Sequence, residues 1–117
     1  TGSGDSDVLV IGDLNAYVRE DPLVTFANAG YTNLLGAQAD PYSFVFDAQS
    51  GALDHGIVSA SLAPQIVGTV EWHINADEPR LLDYNLENGR DPTLFDGTTP
   101  YRASDHDPVV IGIDLTN

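Results

Sequence analysis

Val8-Leu9-Val10-Ile11-Gly12-Asp13-Leu14-Asn15 decides how this chain is read. The first four residues form a continuous apolar run, mostly β-branched, and Gly12 closes it, the signature of a buried strand. Small polar groups follow at once, so Asp13 and Asn15 stand at the tip of that strand. They alternate with Leu14 and are expected on one side of an extended strand end. A similar strand tip, in mirror order, closes the chain: Ser104-Asp105-His106 leads through Asp107 and Pro108 into Val109-Val110-Ile111.

Between these ends the chain alternates short elements. Asp21-Pro22 reads as a helix start, with Asp21 as N-cap and Pro22 at the first helical position. Leu23, Phe26 and Ala27 share a face, and Gly30 stops the helix as a C′ glycine does. Residues 43–47 and 52–59 read as two strands joined by Ala48-Gln49-Ser50-Gly51. Residues 65–70 read as another strand, followed by a core Trp72, and 107–115 as the last. Residues 77–103 are polar and rich in Pro and Gly, a loop long enough to imply a functional role or disorder. The order predicts an α/β (α+β) chain with a mainly antiparallel mixed sheet and few short helices. Several strands are apolar on both faces and call for cover on each side, more than one short helix supplies.

Composition narrows the chemistry. With 117 residues, the chain is one small domain with a modest core. It has no Cys, which excludes disulfides and thiolate metal sites. Eighteen Asp and Glu stand against four Arg and no Lys, a net charge of −14. Such a surface disfavours tight non-specific nucleic-acid binding and suits salt or divalent cations. No apolar run is long enough to span a membrane, and none reads as a signal peptide. Residues 1–7 read as a loop entered from upstream sequence.

The ionisable groups at the strand tips suit metal-assisted attack on a phosphodiester. Asp13 can hold a cation or take a proton from water, and the Asn15 amide can donate to a phosphate oxygen. Asp105 is a hard oxygen ligand of the kind Mg²⁺ or Mn²⁺ prefers, beside an imidazole suited to proton transfer near neutrality. Asp54, inside the run Leu53-Asp54-His55-Gly56-Ile57-Val58-Ser59, needs a partner, and His106 is the candidate it would orient. His55 alternates to the opposite face and is given no catalytic role. Arg102 can clamp a phosphate, or pair with one of many acids. Taken singly, each string also fits a turn whose Asp or Asn bonds nearby backbone amides.

Taken in order, these residues resemble the endonuclease/exonuclease/phosphatase family, the metal-dependent superfamily of pancreatic-type deoxyribonucleases and apurinic endonucleases. Gly12-Asp13-Leu14-Asn15 resembles its GD-[FL]-N motif, Leu53-Asp54 with Ile57-Val58-Ser59 its LD-strand-S motif, and Ser104-Asp105-His106 its terminal SDH motif. Phe44-Val45-Phe46-Asp47 and Trp72-His73-Ile74-Asn75-Ala76-Asp77 look closer still to its secreted bacterial nucleases. The resemblance runs from about Val8 to Asp114 and implies the C-terminal half of a four-layer α/β/β/α sandwich, so that residues 1–117 are a single partial domain.

The resemblance also implies roles. Asp13 orients or deprotonates the attacking water, Asn15 holds the phosphate, Asp105 ligates Mg²⁺ or Mn²⁺ (Ca²⁺ being a further candidate), and His106, oriented by Asp54, is the general acid/base. Asp13 and Asn15 count among the metal-site residues with Asp105, and Arg102 and Asn75 among those contacting substrate. The family's metal-binding Glu lies in its other half. The expectation is therefore an extracellular hydrolase acting on nucleic acid, DNA before RNA, inactive as this fragment alone. The missing N-terminal half is its expected partner, self-association is expected through the uncovered sheet face, and no membrane is involved. Phosphomonoesterase or lipid phosphodiesterase activity in the same family is the alternative, as is a non-catalytic acidic Ca²⁺-binding surface module.

Overall fold

The computed structural model describes residues 4–82, 84–87 and 89–116. Asp83, Asn88, Asn117 and the first three residues of the expected 1–7 loop lie outside the described residues. The chain is mixed α+β, with one α-helix among the described residues, and its described ladders are all antiparallel. It runs β1 (Leu9–Asp13), α1 (Asp21–Asn28), β2 (Thr32–Asn33), β3 (Phe44–Phe46), β4 (Gln49–Gly51), β5 (Asp54–Val58), a 3₁₀ turn (Ala63–Gln65), β6 (Ile66–Glu71) and β7 (Val109–Ile113). The strands form three small sheets, ordered β1-β5-β2, β3-β4 and β6-β7.

β5 is the hinge of the architecture. It is buried along most of its length, as its apolar run predicts, and pairs with β1 so that Leu9 faces Val58 and Asp13 faces Asp54. Ile57 meets Leu23 of α1 and Ala16 in the core, with Val10, Leu14, Phe26 and Tyr31 packed around them. On the other side Gly56 admits β7: a Cβ there would lie 2.6 Å from Ile111 Cδ1. The step from β5 into the 3₁₀ turn is tied by Ser59, whose hydroxyl accepts from the N–H groups of Val8 and Leu62.

Four local expectations change. The hairpin is tighter than the composition of residues 43–59 suggests: β3 turns back at once through Asp47 and Ala48, both left-handed at φ 50° and 61°, and its partner is β4. Residues 54–58 thereby pair with β1 instead of β3. The helix cap is Glu20, not Asp21, and Ala27 is exposed while Leu23 carries the buried face. Gly30 does close the helix with φ 86°. Trp72 is 53% exposed and not core, because β6 delivers Glu71 inward at the neighbouring position.

Residues 77–103 contain no helix or strand among the described residues. Ile11, Val67, Val70 and Val110 stand exposed on β1, β6 and β7, apolar strand residues without cover from the single helix.

Candidate active site

The Asp13–Asp54 pairing across β1 and β5 sets two carboxylates opposite each other, an arrangement that is repulsive unless a positive charge lies close. His106 is the third member. Ligand atoms of Asp13, Asp54 and His106 all lie within 4.8 Å of one another, the one group of this kind among the described residues. The structure therefore joins the first, middle and last strand motifs, more than ninety residues apart at the extremes.

His106 Nδ1 lies 2.6 Å from Asp54 Oδ2. An ionised carboxylate can only accept, so Nδ1 carries the proton and Nε2 is left to receive or release one elsewhere. The ring is held on its flat side as well: Phe44 stacks on it with centroids 4.6 Å apart, and residues 44 and 106 form an isolated antiparallel bridge. Asp54 is fixed by Ser43, fully buried, whose hydroxyl donates to Oδ2 at 2.7 Å and accepts the N–H groups of Leu53 and Asp54. Ser43 is placed in turn by Gly51 and by the Asp107 N–H, which bonds its carbonyl at 2.7 Å. The small β3–β4 hairpin thus serves as a brace between β5 and the chain's last strand.

Asp13 and Asn15 are together, but not by strand alternation. β1 ends at Asp13, and Asn15 is left-handed at φ 48°. Its N–H bonds Asp13 Oδ1 at 2.7 Å and its amide Nδ2 bonds Asp13 Oδ2 at 3.0 Å, a turn closed by the carboxylate. Asp13 is exposed and faces the Asp54–His106 pair. Its turn makes Asn15 a neighbour of the same carboxylate.

Asp105 is not part of that group. It lines an adjoining cavity with Arg102 and Phe44. Arg102 is 9% exposed, and its guanidinium donates to the carbonyls of Asn75 and Leu82. Asn75 is buried too: its amide donates to the His106 carbonyl at 2.7 Å and accepts the Ala103 N–H at 2.9 Å. Asn75 therefore positions the 102–106 segment under His106. His55 is a structural residue: fully buried, it bonds the Ala16 carbonyl at 2.8 Å through Nε2 and the Asn33 amide through Nδ1.

Three supports were not singled out from sequence. Ser43 and Phe44 reach the site through long-range contacts, and Phe44 enters the sequence reading only within the Phe44-Val45-Phe46-Asp47 resemblance, with no role attached. Asp107, 1% exposed, accepts the N–H groups of Ile74, Asn75 and Ala76 on Oδ1 and pairs with His73 Nδ1 through Oδ2. The acidic residue between His106 and a strand-starting Pro is the visible trace of that role. Close by, Glu71 is 5% exposed and its Oε1 has no hydrogen-bond partner among the described residues. Burial pushes its carboxyl pKa up, against a smaller opposing effect of the Tyr42 N–H. Burial also raises the Tyr42 phenol, helped by its bond to Asp77.

No family model matches the chain, and no curated protein or solved structure matches it either.

Proposed function

We propose that this chain carries part of the active site of a divalent-metal-dependent phosphodiesterase of the endonuclease/exonuclease/phosphatase type, acting on nucleic acid. The observation that carries the reading is the meeting of Asp13, Asp54 and His106, with His106 Nδ1 on Asp54 at 2.6 Å. The donor set suits Mg²⁺ or Mn²⁺: two opposed carboxylates offer hard oxygens on adjacent strands. Asp13 and Asp54 would hold the ion, which would offset charge on the phosphate, while Asp105 lies outside this group on the adjoining cavity.

The chain's own groups do the rest. Asp13 accepts a proton from the attacking water. Asn15, on the turn beside it, donates to a phosphate oxygen. His106, with Nδ1 committed to Asp54 and its face against Phe44, presents Nε2 to the phosphate; in its doubly protonated form it gives the Nε2 proton to the leaving oxygen as the P–O bond to that oxygen breaks. The exposed apolar residues of β1, β6 and β7 favour a chain that packs against a second sheet, the other half of the domain, which would bring further metal and phosphate ligands. The acidic Ca²⁺-module reading has less support. Asp91, Asp96 and Asp114 each bond the hydroxyl and N–H of the Thr two residues on, which lowers their pKa values, and among the described residues they gather no shared cation site.

The test is cleavage of plasmid DNA by the whole reading-frame product that contains this chain, with Mg²⁺ or Mn²⁺. The expected result is metal-dependent cleavage reduced about a thousandfold or more by His106→Ala and by Asp13→Ala, with the 117-residue chain alone nearly inactive. Cleavage that survives both substitutions refutes the reading. RNA, inositol phosphates and sphingomyelin as parallel substrates set nucleic acid against the other phosphoesters.

A further inference from the structure

In a chain of net charge −14 with four cationic side chains, three of them, Arg80, Arg90 and Arg102, line one cavity of about 200 Å³. Phe44, Tyr84 and Asp105 line it too. Three arginines and one acidic residue thus line the same small space.

Arg102 is the anchor. It is about nine-tenths buried, yet among the described residues no carboxylate pairs with it. Two of its five N–H groups serve the Asn75 and Leu82 carbonyls, and Tyr84 lies under the guanidinium at 5.9 Å. A cation this buried is stable only with charge compensation or a full set of acceptors. Its backbone is left-handed at φ 53°, a strained state for a residue with a Cβ, and is held by its N–H bond to Ile74. Arg80 is fixed from the other side by the Phe46 ring at 5.6 Å. The segment 77–103, without helix or strand among the described residues, thus supplies all three arginines of the cavity.

The position of the cavity gives it a use. Phe44 belongs to both places: its ring stacks on His106 and also lines the cavity. We propose that this cavity is a subsite for a second phosphate group of the substrate, next to the one whose ester is attacked. The proposal rests on the phosphodiesterase reading above and narrows it. The substrate is then a strand with consecutive phosphates, recognised through its backbone by planar guanidinium forks. It also accounts for how so acidic a chain can hold a polyanion: three of its four arginines line one place.

The test is an NMR titration of the 117-residue chain in Mg²⁺ with a thymidine dinucleotide, the same dinucleotide bearing a 5′-phosphate, and inorganic phosphate. The 5′-phosphate is expected to tighten binding about tenfold or more, the scale of hydrogen bonds to a charged group. Arg80→Ala/Arg90→Ala, both exposed positions, is expected to abolish that difference while leaving the unphosphorylated dinucleotide and the circular dichroism spectrum unchanged. His106→Asn is expected to weaken both dinucleotides alike. A 5′-phosphate that gives no advantage, or an advantage that survives the double substitution, overturns the subsite. So does inorganic phosphate that binds at the arginines without being displaced by the phosphorylated dinucleotide, which would mark a site for free phosphate. Dinucleotide binding indifferent to His106→Asn, with the arginine effect intact, overturns instead the phosphodiesterase reading beneath it.

Discussion

Replacing Asp107 separates a carboxylate that builds the site from those that act in it. Its Oδ1 accepts from Ile74 N at 3.0 Å, Asn75 N at 2.8 Å and Ala76 N at 2.9 Å, and its Oδ2 pairs with His73 Nδ1 at 2.8 Å. Asp107→Ala strips all of these donors of their acceptor. Hydrogen bonds to a charged group contribute about 1.5–3 kcal/mol each. The full set would exceed about 6 kcal/mol, but His73 is partly exposed and water can reach its end of the turn. A loss of about 4 kcal/mol is expected, which for a chain of this length lowers Tm by about 15 °C. Asp107→Asn keeps an oxygen for the three backbone N–H groups and loses the charge, so it should cost only about 1–2 kcal/mol. The assay is thermal and urea unfolding, with amide exchange at residues 74–76 as a local readout. Because Asn75 carries the His106 carbonyl at 2.7 Å, Asp107→Ala should also disorder the His106 ring resonance before global unfolding. An Asp107→Ala variant within about 1 kcal/mol of the parent, or an Asn variant as damaged as the Ala one, would refute this reasoning.

Further outcomes follow from the same geometry. Ser43→Ala leaves the Leu53 and Asp54 N–H groups without their side-chain acceptor and removes a hydrogen bond to a carboxylate, for an expected loss of about 2–4 kcal/mol in urea unfolding. His55→Leu strands the Ala16 carbonyl and the Asn33 amide and should cost a similar amount, about 2–4 kcal/mol, while Mn²⁺ affinity of the folded protein is unchanged by titration. Glu71 should show the opposite sign. Its carboxyl is raised above the ordinary 4.5, so the folded chain holds that proton more tightly than the unfolded one. Its contribution to stability falls as pH rises from about 4.5 through the folded value, and the penalty is complete above it. Glu71→Gln should therefore raise Tm at pH 7 relative to the parent and show a smaller gain at pH 4; a lower Tm at pH 7 would contradict the assignment.

The sequence made the local elements legible where the signal was short-range. The Val8–Ile11 run, the Gly30 stop and the Val109–Ile113 strand are read from a few neighbouring residues and stand in the fold with only their ends shifted. The Asp54–His106 pairing was legible for a different reason: a carboxylate in a strand core requires a partner, and His106 was available. Pairing partners were less legible. Residues 44–46 pair with 49–51 because the chain turns at left-handed Asp47 and Ala48, so Gln49, Ser50 and Gly51 of the expected joint become the partner strand, and that choice frees β5 for β1. Asn15 reached Asp13 by a turn that a strand-alternation argument cannot anticipate. Ser43, Phe44 and the convergence of Arg80, Arg90 and Arg102 depend on contacts far apart in sequence, and no periodicity announces them.

The central claim is that Asp13, Asp54 and His106 form one cation-linked acid–base site. Paramagnetic line broadening by Mn²⁺, followed residue by residue in the amide spectrum, tests it most directly because it detects weak binding and reports position. The account predicts broadening centred on residues 13–15, 54 and 105–106, displaced by Mg²⁺ and abolished by Asp13→Asn together with Asp54→Asn. Broadening centred on the exposed acids of residues 91–98, or a pattern unchanged by that double substitution, would contradict it.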